Sequence, residues 1–387
     1  MMKKITLLVL LIPFLNFAQN QAPRALIDEA LVNYEAEINA SEFLNNKTLN
    51  ILVGDVLNQY LPSTKISTQR LSFILDDADN SLSLMGNFDP RLTKTSYQSF
   101  LASGGLKLKG EPTGSFYTFK ESSWAQNIGA QFKLTWFIPG TLTKNSDQHI
   151  QSLLKAYRDK TIKNLALEAL ETKVLNDEEL IELIATKEAE YILKNDLYVA
   201  MRKFWFTLQG YIPLTKSSNT FTNATDASKL SEHQFEAWDA SLSGNAFFKL
   251  RNISFSGSIL SRIYQNNNTL TETVKKRTFT SFESSPVGQP ALTSTDSYYY
   301  GEYEEFTSGQ VKAEGTFLLK ELVGLSAAIE QNFWNGYDAL NWKLGIPLNL
   351  KNKDGESSIA FELQWREFNK QHYLGISVGK AIGKFLN

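Results

Sequence analysis

The 387 residues include three histidines and no cysteine, so the search for chemistry starts from a short inventory. Without cysteine there are no disulfides, thiolate metal sites, thiol nucleophiles or lipoprotein anchors. A hydrolase that sets its histidine two residues before a nucleophilic serine on a strand would need His-x-Ser. The sequence offers His149-Ile-Gln, His233-Gln-Phe and His372-Tyr-Leu, and none fits. Asp76-Asp77-Ala78-Asp79-Asn80 gathers three carboxylates that a calcium ion could use, but it lacks the spacing of a loop that wraps a cation. Clusters of Asp and Asn make turns for conformational reasons alone, and that reading is preferred. Tyr298-Tyr-Tyr-Gly-Glu-Tyr-Glu-Glu-Phe306 could grip a glycan or a protein; a strand running on past its neighbours is the plainer account. No catalytic group, metal or cofactor is expected. A net charge of -2 with 21% charged residues gives no basic footprint for nucleic acid.

Lys3 and Lys4, the apolar run Ile5–Phe14 and the small Ala18 make residues 1–18 a secretory signal peptide, with cleavage expected after Ala18. No later apolar stretch reaches the roughly 18 residues of a spanning helix. Any membrane crossing must then use strands, each about 9–11 residues long with apolar and polar side chains alternating. Leu340, Trp342, Leu344, Ile346, Leu348 and Leu350 fall on one face, against Asn341, Lys343, Gly345 and Asn349 on the other. The same period recurs at 128–138, 203–212, 238–250, 253–263, 310–319, 325–330, 358–366 and 373–379, and more briefly at 71–75, 82–88 and 100–108. This predicts about 12 strands, an even number inside the range of transmembrane barrels. A soluble β-sandwich also alternates. Its apolar faces would not stay free of charge over such lengths, nor end in aromatics such as Trp136, Phe137, Tyr211, Trp342 and Trp365.

From about residue 67 onward the chain resembles the outer-membrane β-barrel proteins of diderm bacteria, and the final stretch Tyr373–Asn387 looks like their C-terminal assembly signal. The resemblance implies an up-and-down antiparallel barrel in the outer membrane. Outer-membrane lipid and the barrel assembly machinery would be its partners, and both termini would be periplasmic. Counting strands back from the C-terminus makes Arg251-Asn252, Lys320-Glu321 and 351–355 periplasmic turns, and 265–306 the longest extracellular loop. His233 and His372 then come near the outer mouth with Asp239 below them. One histidine near one aspartate is a pattern that chance supplies.

Two segments depart from period two. Residues 145–196 show helical spacing at Ile150, Leu153, Leu154 and Tyr157, then at Leu165 and Ala169. A second helix follows from Asn176, with Glu179 at the capping-box position and apolar residues at Leu180, Ile181, Ile184 and Ile192. This αα-hairpin falls on the periplasmic side. Its stripes either pack on each other or dock a periplasmic partner or the barrel mouth through residues such as Ile150, Leu154, Leu180 and Ile184. Residues 19–66 carry helical runs at 25–43 and 49–61 and could be a tail, a partner-binding helix or a plug. Barrel strands are expected over 67–144 and 197–387.

The inward face carries Lys107, Lys109, Lys133, Lys203, Lys249, Arg262, Lys312, Lys343 and Arg366, against Asp239, Glu314, Glu330 and Glu362. Buried charges must be paired or hydrated. About 12 strands lies between a filled eight-stranded barrel and an open porin. The leading expectation is a narrow, porin-like channel with an anion-leaning lumen. The alternative is a non-conducting scaffold that binds protein partners through its helical parts.

Overall fold

The computed structural model describes residues 24–385 apart from 40–42, 77–80, 91–97, 110–116, 119–122, 125–126, 145–146, 173–174, 224–228, 272, 284–291, 335–336, 352–356 and 369. The signal segment and most of the Asp76–Asn80 turn lie outside the described residues. The main strands, in chain order, are β1 (Gln69–Asp76), β2 (Ser81–Phe88), β3 (Phe100–Lys109), β4 (Asn127–Lys144), β5 (Tyr198–Pro213), β6 (Ser217–Thr222), β7 (Ser231–Phe235), β8 (Asp239–Leu250), β9 (Ile253–Asn267), β10 (Lys275–Glu283), β11 (Leu292–Tyr300), β12 (Glu305–Leu319), β13 (Val323–Trp334), β14 (Tyr337–Lys351), β15 (Ser357–Phe368) and β16 (Gln371–Phe385).

Twelve of these close into one antiparallel barrel in the order β8-β9-β12-β13-β14-β15-β16-β1-β2-β3-β4-β5. They are the twelve stretches where the sequence alternates. The ring shuts where β16 meets β1, with Val378 opposite Leu75 and Ala381 opposite Ser72. The alternation sorts side chains as the pleat requires. On β14, Leu344, Ile346 and Leu350 are exposed while Asn341, Lys343 and Asn349 are buried. Phe206, Leu242, Ile259, Ile329 and Leu363 likewise face outward. A water-soluble protein would not display such a belt, whereas a bilayer solvates it. Trp342 and Trp365 meet edge to face at 5.1 Å near one rim, with His372 about 6 Å from both (5.9 and 5.8 Å).

The end of the barrel that carries the termini is called the near end here, and the opposite one the far end. The stretch read as a long loop at 265–306 contains β10 and β11. With β6 and β7 they form a separate four-stranded sheet, β7-β6-β11-β10, joined by a parallel β6–β11 pair. Tyr298–Tyr300 therefore belong to this sheet and do not prolong a barrel strand. Gly301, at φ +131°, breaks the chain between them and β12, a backbone conformation open to glycine.

The helices are at the near end. They are α1 (24–36), α2 (Asn46–Gln59), α3 (Leu61–Thr64), α4 (Asp147–Tyr157), α5 (Lys163–Thr172) and α6 (Asp177–Lys194); a π-helical turn, Arg158–Ile162, joins α4 to α5. The capping box at the start of α6 forms as its spacing requires: Asn176 Oδ1 accepts from Glu179 N at 2.9 Å and Glu179 Oε2 accepts from Asn176 N at 3.1 Å.

The outward face of β14 yields a test. Leu344→Arg, in mid-strand against lipid, is expected to cost about 2–4 kcal/mol of folding stability. Urea titration of the barrel in lipid vesicles measures it, and a cost near zero would contradict the outward placement.

Candidate functional site

The lumen is divided. Its near half holds α2 and α3, and its far half encloses a cavity of about 210 Å³. Helix α2 suits the first role because it is buried on every side and polar on several: Asn50, Asp55, Asn58 and Gln59 are buried along with Leu52, Val56 and Leu57. Inward-facing barrel residues are polar too, so plug and wall meet through hydrogen bonds. Tyr60 donates to Ser254 Oγ at 2.7 Å, Ser63 and Thr316 hydroxyls lie 3.0 Å apart, and Gln59 donates to Glu321 Oε2 at 3.1 Å. Lys65 pairs with Asp76 at 2.8 Å and offers its carbonyl to Lys133 Nζ at 2.5 Å. Gly379 lets the plug touch the wall, since a Cβ there would lie 3.0 Å from the Leu61 side chain.

The sequence-derived lumen residues fall into groups. Lys107, Arg262, Lys312, Glu330, Lys343 and Arg366 line the far cavity, together with Lys109, Tyr264, Gln310, Asn332, Asn341 and Phe368. Asp239 accepts from Lys109 and, at 2.9 Å, from Arg262. Glu314 takes Lys312 at 2.9 Å and Lys343 at 2.7 Å, and Lys343 also lies 3.3 Å from Glu362. Glu330 accepts from Asn332 (2.8 Å) and Asn341 (3.2 Å). Lower down, Lys249 pairs with Glu321, Lys133 reaches the plug, and Lys203 donates to the Ile138 carbonyl at 2.6 Å. Sequence reasoning missed Lys65 and Glu321, one on the plug and the other in a turn. Neither position carries a period that would mark it as facing the lumen.

Ile150, Leu154, Leu180 and Ile184 are not on offer to a partner. Each is at most 1% exposed, and all four belong to one core with Ile27, Tyr34, Leu49 and Leu52 of α1 and α2. The hairpin stripes therefore take up the chain's own N-terminal helices, forming a cap continuous with the plug. At the centre of this cap sits Glu188, fully buried. Arg158 Nε donates to it at 2.8 Å, Thr48 Oγ1 at 3.2 Å, and Tyr34 Oη also donates; a second Arg158 nitrogen reaches the Phe43 carbonyl at 3.3 Å. Burial pushes the Glu188 carboxyl above its ordinary range, opposed by Arg158 and by the hydroxyl donors. The Tyr34 phenol rises as well, through burial and then the neighbouring Glu188 charge.

Two of the histidines, His233 and His372, lie against aromatic rings. His233 stacks on Tyr303 at 4.6 Å, with Ser231 Oγ 3.1 Å from its ring, while Asp239 is held by two cations inside the barrel.

No family model matches the sequence, and no curated protein matches it. Among solved structures, an OmpT of Vibrio cholerae expressed in the outer membrane aligns over 80% of this chain and 92% of its own, at 9% identity and a TM-score of 0.22. Its loop L8 deletion mutant aligns over 81% of this chain and 96% of its own, at 9% identity and a TM-score of 0.23. Likenesses this loose carry no argument. What the chain itself shows is a closed ring of twelve antiparallel strands with an apolar exterior, the architecture of a membrane-spanning β-barrel.

Two outcomes follow for the cap. Arg158→Ala strands a buried carboxylate and is expected to destabilise the cap by about 3–5 kcal/mol. Limited proteolysis across a urea series would show it, and an unshifted cap midpoint would count against this pairing. The pH dependence has a definite sign. A folded value raised above 4.5 means that Glu188 contributes stability below pH 4.5, and this is lost as pH rises through the folded value. In Glu188→Gln that part of the pH profile should be flat.

Proposed function

We propose that the barrel is a narrow, anion-leaning conduit of the outer membrane, closed at rest by its own N-terminal segment. The near end, with its termini, short turns and cap, lies in the periplasm; the far-end sheet lies outside. The reading rests on one observation: α2 and α3 occupy the near half of a lumen whose far half is ringed by lysines and arginines. The seam around the plug suits an element that leaves. Asn50 Nδ2, Asn58 Nδ2, Gln59 Oε1 and Asn349 Oδ1 are buried there without a protein partner among the described residues. Seams of that kind are wetted readily and are weaker than close-packed apolar ones. The cap–plug junction, by contrast, shares the apolar core and the Glu188 bonds, so plug and cap would move as one body.

A second reading keeps the barrel shut and makes the cap the working part, with the wall as its anchor and a periplasmic protein as its partner. What favours it is the matching of Asp239, Glu314 and Glu362 to lumen cations, which leaves less charge for a passing solute. Planar-bilayer recordings separate the two. The intact protein should be silent, and deletion of residues 24–66 should open a conductance whose reversal potential in a salt gradient favours anions. Gly379→Leu, which puts a side chain where Leu61 sits, should raise the open probability of the full-length protein. A silent truncated barrel, inserted and folded, would leave the anchor reading in place; cation selectivity would remove the anion-leaning lumen.

A further inference from the structure

The far cavity resembles a binding cup more closely than a stretch of passage, because its charges are grouped and its arginines lie over aromatic rings. On one side, Lys109 and Arg262 converge on the single carboxylate of Asp239. On another, Lys312 and Lys343 converge on Glu314. The first cluster brings two cations to one acid; in the second, Glu362 also lies 3.3 Å from Lys343, and Glu330 and Glu367 join the cavity lining. The two arginines are also stacked: Arg262 lies 4.7 Å from the ring centre of Tyr264, and Arg366 5.9 Å from Phe368 and 5.3 Å from Tyr373. A guanidinium over a ring still bonds oxygens, as Arg262 does with Asp239 at 2.9 Å, and its planar fork is the group that recognises carboxylate or phosphate oxygens two at a time. Between these groups lie Gln310 and Asn341, which can meet uncharged parts of a ligand. Every lining residue belongs to the wall or to the loops at its far rim, with the plug lying below them.

We infer that the outer half of the lumen binds a small organic or inorganic dianion, with oxygens turned to both cation clusters. The cavity of about 210 Å³ has room for a four-carbon dicarboxylate or a phosphate. The proposal rests on the plugged-barrel reading only for what lies below the cavity, and the two fail separately. Loss of conductance in the truncated protein would leave binding by the intact protein untouched, and loss of binding would leave conductance untouched.

Isothermal titration calorimetry on the full-length protein in detergent tests it, with succinate and inorganic phosphate as probes and acetate and choline as controls. Saturable binding of succinate or phosphate is expected, at least about tenfold tighter than acetate and weaker at higher salt. Whichever of the two binds more tightly identifies the oxyanion. Lys312→Gln and Arg366→Gln should each weaken it about tenfold, the usual effect of losing one charge-assisted contact. Lys216→Gln removes an equal charge outside the cavity and should leave it unchanged. If Arg366→Gln fails to fold, Arg366→Lys, which keeps the charge and loses the planar fork, should still bind less tightly. The inference is overturned if neither dianion gives saturable heat, if acetate matches succinate, or if the cavity variants bind like the parent.

Discussion

A strand in a bilayer has no water to satisfy the bonds of a free edge, and that single requirement organises this molecule. It forces the sheet to end where it began, on β1 and β16. It fixes the outward face as apolar because lipid is the solvent there. Closure then creates an interior that no lipid reaches, and every polar residue the alternation turns inward must be satisfied within it. The plug below and the ion pairs that surround the far cavity are two ways of meeting that demand in the same lumen.

The interior is not served by one mechanism throughout. Near the cap, protein fills the space: Tyr60 packs edge to face on Phe247 at 5.6 Å and its hydroxyl finds Ser254. Further up, carboxylates neutralise cations across strands. Glu314 of β12 reaches Lys343 of β14, and removing either partner leaves the other charged and buried without its counter-ion. The cap uses a third device. A π-helical turn begins at Arg158, the residue that binds Glu188, and such turns commonly mark places where a helix is re-aimed for a purpose.

What could be read from the sequence follows from how strongly each environment constrains residue type. Lipid imposes period two without interruption, so the twelve barrel strands were legible, down to the weak stretches at 71–75 and 82–88. The far-end sheet was not, since β6, β10 and β11 lie beyond the bilayer and nothing forces Ser217–Thr222 to alternate in hydropathy. Helix α2 carries no clean stripe because it is enclosed on all sides by partly polar walls, so its seat inside the lumen had no signature. The hairpin stripes were seen correctly as apolar faces. Their cover was hidden because it comes from Tyr34 and Thr48, more than a hundred residues away in sequence. The lumen charges were visible one by one. Their pairing was not, because partners such as Lys109 of β3 and Asp239 of β8, with β4 and β5 between them, meet only through the register and curvature of the ring.

The seam between β1 and β16 also sets the order of events in time. Ser377 Oγ bonds Asp76 Oδ1 across 301 residues of chain, among the most distant pairings a chain of this size can make. Contacts so remote form late and slowly, since the loop they close carries a large entropic penalty. Until the last strand arrives, the wall is an open curved sheet with two bare edges. The plug, tethered to the first strand by only Lys65–Thr68, waits beside one of them. The final pairing therefore both seals the wall and commits the plug to its seat.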